Sequence, residues 1–97
     1  MDERIIELRN LISHYKSLIE GLNGASRDGL IIQYIENLGH KFKKINLNHG
    51  LIKFSIIEKD DGIVKYINPI GKEEPVADYN AQGIWNLLET FKDDLSL

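Results

Sequence analysis

The stretch Leu51-Ile52-Lys53-Phe54-Ser55-Ile56-Ile57-Glu58-Lys59 alternates large apolar residues (Ile52, Phe54, Ile56) with polar ones (Lys53, Ser55). A period of two places the apolar side chains on one face of a β-strand and the polar ones on the other. The β-branched and aromatic residues that dominate the stretch favour strand over helix. Turn-forming residues flank it, Asn48-His49-Gly50 before and Asp60-Asp61-Gly62 after. A strand with a tight turn at each end is the middle strand of a three-stranded antiparallel meander.

Two-residue loops set the expected register. With His49-Gly50 as the first loop, Leu47 faces Ile52 and Ile45 faces Phe54. With Asp61-Gly62 as the second, a favoured type I′ pair, Ile56 faces Ile67 and Glu58 faces Lys65. A three-residue loop with a glycine bulge is the alternative. One sheet face then reads Ile45, Leu47, Ile52, Phe54, Ile56 and Ile67, and must be covered by helix. The other carries Lys44, Asn46, Lys53, Ser55 and Asn68, with Phe42, Ile57, Val64 and Tyr66 clustered toward one end. Asn68-Pro69 ends the third strand, and residues 71–76 read as a solvated connection.

Helices flank the meander. From Asp2 to about Leu22, apolar residues recur at Ile5, Leu8, Ile12, Tyr15, Ile19 and Leu22, with Asp2 as N-cap. The stripe packs on the sheet; its 3-4 spacing also suits a coiled-coil seam between two copies. A short second helix runs from Ser26 to Gly39, where glycine stops it in the left-handed conformation. The last runs from about Asn80 to Leu95, capped by Asp78 or Asn80. Asp93 and Asp94 oppose the dipole at its C-terminus and predict fraying. The expected fold is one α+β domain over residues 1–97, in the order α-α-β-β-β-α, with the first and last helices packed on one sheet face.

Composition narrows the chemistry. With no cysteine among 97 residues, no disulfide, thiolate nucleophile or Cys-based zinc site can form. The lack of cysteine fits a reducing cytosol, and Met1-Asp2-Glu3-Arg4 does not open a secretory signal, so a cytoplasmic location is the expectation. No apolar run approaches the length of a membrane span. The net charge is −3, unevenly spread. Residues 40–72 hold seven lysines against three carboxylates, and residues 73–97 hold one lysine against six.

No catalytic or metal-binding pattern emerges. His14, His40 and His49 lack the spacing of a metal site, and Asp60-Asp61 with Glu58 is explained by the turn. No serine has a recognisable base beside it, and Gly71-Lys72 lacks the rest of a phosphate loop. The expectation is a non-enzymatic protein with no cofactor and no metal.

The helix–meander–helix order resembles that of double-stranded RNA-binding domains. The resemblance is of topology alone. That family carries a lysine cluster at the start of its last helix, where this chain reads Asn80-Ala81-Gln82-Gly83-Ile84. A winged helix with residues 26–39 as recognition helix would have Arg27 as its only cation, which argues against it. The expectation is therefore a protein-interaction module, such as a regulator, inhibitor or adaptor. Its partner is another protein, a second copy of the chain included, and not a membrane. The partner-binding residues are Phe42, Lys44, Lys53, Ile57 and Tyr66. The alternative is nucleic-acid binding, with the lysines on phosphates and Phe42 and Tyr66 stacking on bases.

Overall fold

The computed structural model describes residues 2–97. Three helices, α1 (Glu3–Glu20), α2 (Gly24–Phe42) and α3 (Asp78–Thr90), accompany an antiparallel five-stranded sheet. Its strands are β1 (Lys44–His49), β2 (Ile52–Glu58), β3 (Val64–Ile67), β4 (Glu73–Pro75) and β5 (Leu95–Ser96), in the spatial order β4-β3-β2-β1-β5. The α+β class and the central meander are those expected. Two short strands extend the meander, one on each edge.

The Leu51–Lys59 stretch is the middle strand, but both registers differ from the expected ones. In the first hairpin Ile45 pairs with Ile56 and Leu47 with Phe54. The loop is Gly50-Leu51, one residue further on than expected, which moves the pairing by two. Gly50 has φ +61° while Leu51 does not have positive φ, the pattern of a type II′ turn with glycine first. A shift of two preserves the faces. In the second hairpin Ile56 pairs with Tyr66 and Glu58 with Val64. Here the three-residue alternative forms. Gly62 donates its N–H to the Lys59 carbonyl at 2.9 Å, Lys59 donates to Ile63 at 2.9 Å, and Gly62 takes φ +83°. The single extra residue exchanges the faces of β3. Val64 and Tyr66, expected on the second face, are buried in the core, while Ile67 moves outward.

A second turn of the same build creates β4. Gly71 donates to the Asn68 carbonyl at 2.8 Å and Asn68 to Lys72 at 3.0 Å, with Gly71 at φ +87°. Residues 71–76 are thus not a solvated connection but lead into an edge strand.

The helices are also rearranged. Asp2 caps α1 as expected, accepting the Arg4 N–H at 2.9 Å. The second helix does not stop at Gly39 but runs on to Phe42, with His40 and Lys41 favourably placed at the negative end of its dipole. This helix, where the first and last were expected, makes the main contact with β1, β2 and β3; α1 and α3 pack on it. Its buried residues Ile31, Tyr34, Ile35 and Leu38 follow the i, i+3, i+4, i+7 stripe. Gly39 sits where a Cβ would come within 2.5 Å of Val64 Cγ1, so glycine allows the helix to approach β3.

The last helix ends at Thr90, earlier than expected, and a 3-10 turn (Lys92–Asp94) leads into β5. The aspartates that oppose a helix C-terminus are thereby removed from one. Arg9 of α1 donates to the Lys92 and Asp93 carbonyls, at 3.2 and 2.8 Å. Leu95 is buried opposite Leu47 in β5 instead of extending the helical stripe. Asn80 supports the start of α3 from inside it, accepting the Ala77 N–H at 2.8 Å.

Candidate functional site

The pairings place Lys44, Asn46 and Asn48 of β1, Lys53, Ser55 and Ile57 of β2, and Lys65 and Ile67 of β3 on the face away from α2. Glu73 and Pro75 of β4 and Ser96 of β5 complete it. None of these residues is buried, whereas Ile45, Leu47, Phe54, Ile56, Val64, Tyr66 and Leu95 on the opposite face all are. The sheet is therefore packed on one side and open on the other.

The open face has its own polar order. Ser55 donates its hydroxyl to Asn46 Oδ1 at 2.8 Å across the β1–β2 pair. Ile57 lies in one row with Lys44 and Lys65, its neighbours on the flanking strands. Adjacent strands are about 4.8 Å apart, so these lysines stand roughly 10 Å from each other across Ile57. Lys53 lies four residues back along β2, roughly 13 Å from Ile57 at strand rise. Lys44, Lys53 and Lys65 form no ion pair among the described residues. Lys41, Lys43, Lys59 and Lys72 do, with Glu7, Glu58, Glu73 and Glu74. The carboxylate on the face is Glu73, which engages Lys59.

Of the residues expected to bind a partner, the structure brings Lys44, Lys53 and Ile57 together on this face. It does not bring Tyr66, which the register exchange buries and whose hydroxyl donates to Glu74. Burial first, and the Glu74 carboxylate second, push the Tyr66 pKa up to about 12. Phe42 ends α2 and is half-buried against the core. Lys65 and Ile67 were missed as members of the site. The signal was the glycine-bulge reading of Asp60-Asp61-Gly62, which puts both on the outer face.

Beside this face, at the α2–β1 corner, lies a compact ion-pair group. Glu58 Oε2 is 2.5 Å from His40 Nδ1, and Glu58 Oε1 accepts from Lys43 Nζ at 2.7 Å. The His40 hydrogen bond and then that of Lys43 hold the Glu58 carboxyl below its usual range. Lys43 adopts φ +65°, ψ −46°, a costly conformation for a side-chain-bearing residue. Its N–H donates to the Gly39 carbonyl at 2.9 Å, and its carbonyl accepts the Glu58 N–H at 2.8 Å. These bonds hold the chain at the corner where it leaves α2 for β1.

Glu58 is thus engaged with α2, and Asp61 Oδ1 accepts the Ile63 N–H at 3.0 Å, so the two do not converge on a cation. Among the described residues no group of three His, Asp or Glu could hold a metal ion. Among the same residues no helix is long and apolar enough to cross a membrane. Comparison of the chain with models of protein families, with curated proteins and with solved structures finds no match.

Proposed function

We propose that this chain is a non-enzymatic protein-interaction module, a small regulator, inhibitor or adaptor, that docks an acidic partner on the open face of its sheet. The observation that carries the reading is the set of unpaired lysines, Lys44, Lys53 and Lys65, spread around half-buried Ile57 and Ile67. A partner's carboxylates would gain charge-assisted hydrogen bonds there, and its apolar side chains would cover the two isoleucines. An isologous contact through this face would set the same lysines against their copies. A partner of opposite charge therefore fits it better than a second copy.

The lysines would also suit phosphates, which makes nucleic acid the second reading. The register counts against it, because Phe54 and Tyr66 face the core and leave no strand aromatic on this face for a base to stack on. The test is parallel affinity purification from the source cell with the native chain and with Lys44→Glu/Lys53→Glu/Lys65→Glu, after circular dichroism shows equal folding. The reading expects an acidic protein retained by the native chain, released by salt, and absent from the variant. Equal retention by both chains, or nucleic acid as the sole species lost, would refute it.

A further inference from the structure

The end of the sheet formed by the β1–β2 and β3–β4 turns carries two large apolar side chains that the fold does not need. Leu51 is 99% exposed and Ile70 86% exposed. Neither turn calls for such a residue. The β2–β3 and β3–β4 turns share one geometry, closed by the Gly62 and Gly71 amides at 2.9 and 2.8 Å. Asp61 and Ile70 occupy the same position in them. A polar residue therefore satisfies this turn, and isoleucine at position 70 is not a requirement of folding. Ile70 is also firmly held, because Asn68 Oδ1 accepts the N–H groups of both Ile70 and Lys72, at 3.1 and 3.0 Å. These bonds fix the main chain of the turn, so the loop itself loses little freedom on binding.

Between Ile70 and β2 lies a cleft of about 360 Å³, lined by Lys53, Ser55, Ile67, Pro69 and Ile70 among others. Lys53 is the one charged residue in its lining and has no ion-pair partner among the described residues. A wall of apolar surface beside one unneutralised ammonium selects an occupant with the complementary pair of groups. We infer that this cleft is the anchor point of the docking face, and that its occupant is a segment of a partner protein bearing a large aliphatic or aromatic side chain next to a carboxylate. The apolar group seats against Ile67 and Ile70, Leu51 closes over it from the neighbouring turn, and the carboxylate meets Lys53. This rests on the reading of the open face as a protein-docking surface and adds the kind of segment it takes. A lipid surface fits less well, since it offers a plane of headgroups whereas the cleft is a recess with one cation in its lining.

Panning a library of random linear peptides against the full-length chain tests the inference, with affinities of the enriched peptides measured by fluorescence anisotropy. The expected peptides carry Leu, Ile, Phe or Met beside Asp or Glu. Their affinity falls about tenfold or more with Ile70→Ser and with Lys53→Glu, and is kept with Lys53→Arg. These positions are exposed, and thermal melts check that the variants fold. Lys44→Glu/Lys65→Glu, at the far end of the face, separates the two readings. Loss there with none from Ile70→Ser leaves the open-face reading standing and overturns the cleft. Loss from neither overturns both. Enrichment of peptides without the acidic–apolar pairing, or no enrichment, overturns the cleft. So does capture by phosphatidylcholine/phosphatidylserine vesicles that Leu51→Ser and Ile70→Ser abolish.

Discussion

Gly39→Ala is expected to destabilise the protein although it places alanine, the best helix former, inside a helix. In an open helical position this exchange gains up to about 1 kcal/mol. At Gly39 the added Cβ would lie 2.5 and 2.7 Å from the two Val64 methyl carbons and 3.2 Å from its Cβ. Carbon atoms pack comfortably at about 3.5–4.0 Å, so α2 and β3 would have to part by roughly 1 Å. Both residues are buried, and β3 is held by β2 and β4, so neither side yields easily. Overpacking costs about 1–3 kcal/mol, and contacts as short as 2.5 Å belong in the upper part of that range, so after the gain in propensity the net loss is about 1–2 kcal/mol. In a thermal melt that is a fall of about 5 °C or more for a domain of this size. Gly83→Ala in α3 is the control, because its Cβ meets nothing within 4 Å and the same exchange should stabilise. Combining Gly39→Ala with Val64→Ala should recover at least about 1 kcal/mol relative to the sum of the single changes, since the new methyl enters the vacated space. A Gly39→Ala protein as stable as Gly83→Ala would refute the reasoning, and with it the close seating of α2 that leaves the other sheet face uncovered.

Two further predictions concern groups away from that contact. The Tyr34 hydroxyl is buried without a hydrogen-bond partner among the described residues, while its ring stacks on Tyr15 at 3.9 Å between centroids. Tyr34→Phe should therefore leave stability unchanged or raise it by about 1 kcal/mol in urea unfolding; a clear loss would reveal a bond to that oxygen. Glu58, with its pKa held low in the folded state, contributes stability that is present above the ordinary glutamate value of about 4.3 and lost as pH falls through the depressed one. Urea midpoints measured downward from neutral pH should fall less steeply in acid for Glu58→Gln than for the native chain. Identical profiles would show that the His40 and Lys43 bonds do not bias its ionisation.

The local pattern of the sequence determined the class of fold. The alternation in residues 51–59 and the 3-4 spacing in residues 5–22 are consequences of strand and helix geometry, and each is legible without knowledge of neighbours. Lys44, Lys53 and Ile57 could be assigned to one face for the same reason. What lay beyond the pattern was the register. A two-residue and a three-residue loop both suit Asp60-Asp61-Gly62, yet one residue decides whether Tyr66 or Ile67 faces the core. The structure resolves this through backbone bonds and through packing, since Val64 sits beneath Gly39 of α2 and Tyr66 beside Phe54, with ring centroids 5.8 Å apart.

The edge strands were hidden for a related reason. Three residues of β4 and two of β5 carry almost no period of their own, and their partners lie on other parts of the chain. The one local sign was Asn68-Pro69-Ile70-Gly71, with asparagine, proline and glycine at the places a type I turn with a glycine bulge favours. The sequence by itself thus determined which segments are helix and which are the main strands. Only the tertiary structure decided which helix lies on the sheet, which residues face outward, and that the uncovered face carries unpaired lysines around isoleucine. Those outcomes depend on contacts between segments distant in sequence, where a displacement of one residue exchanges core for surface.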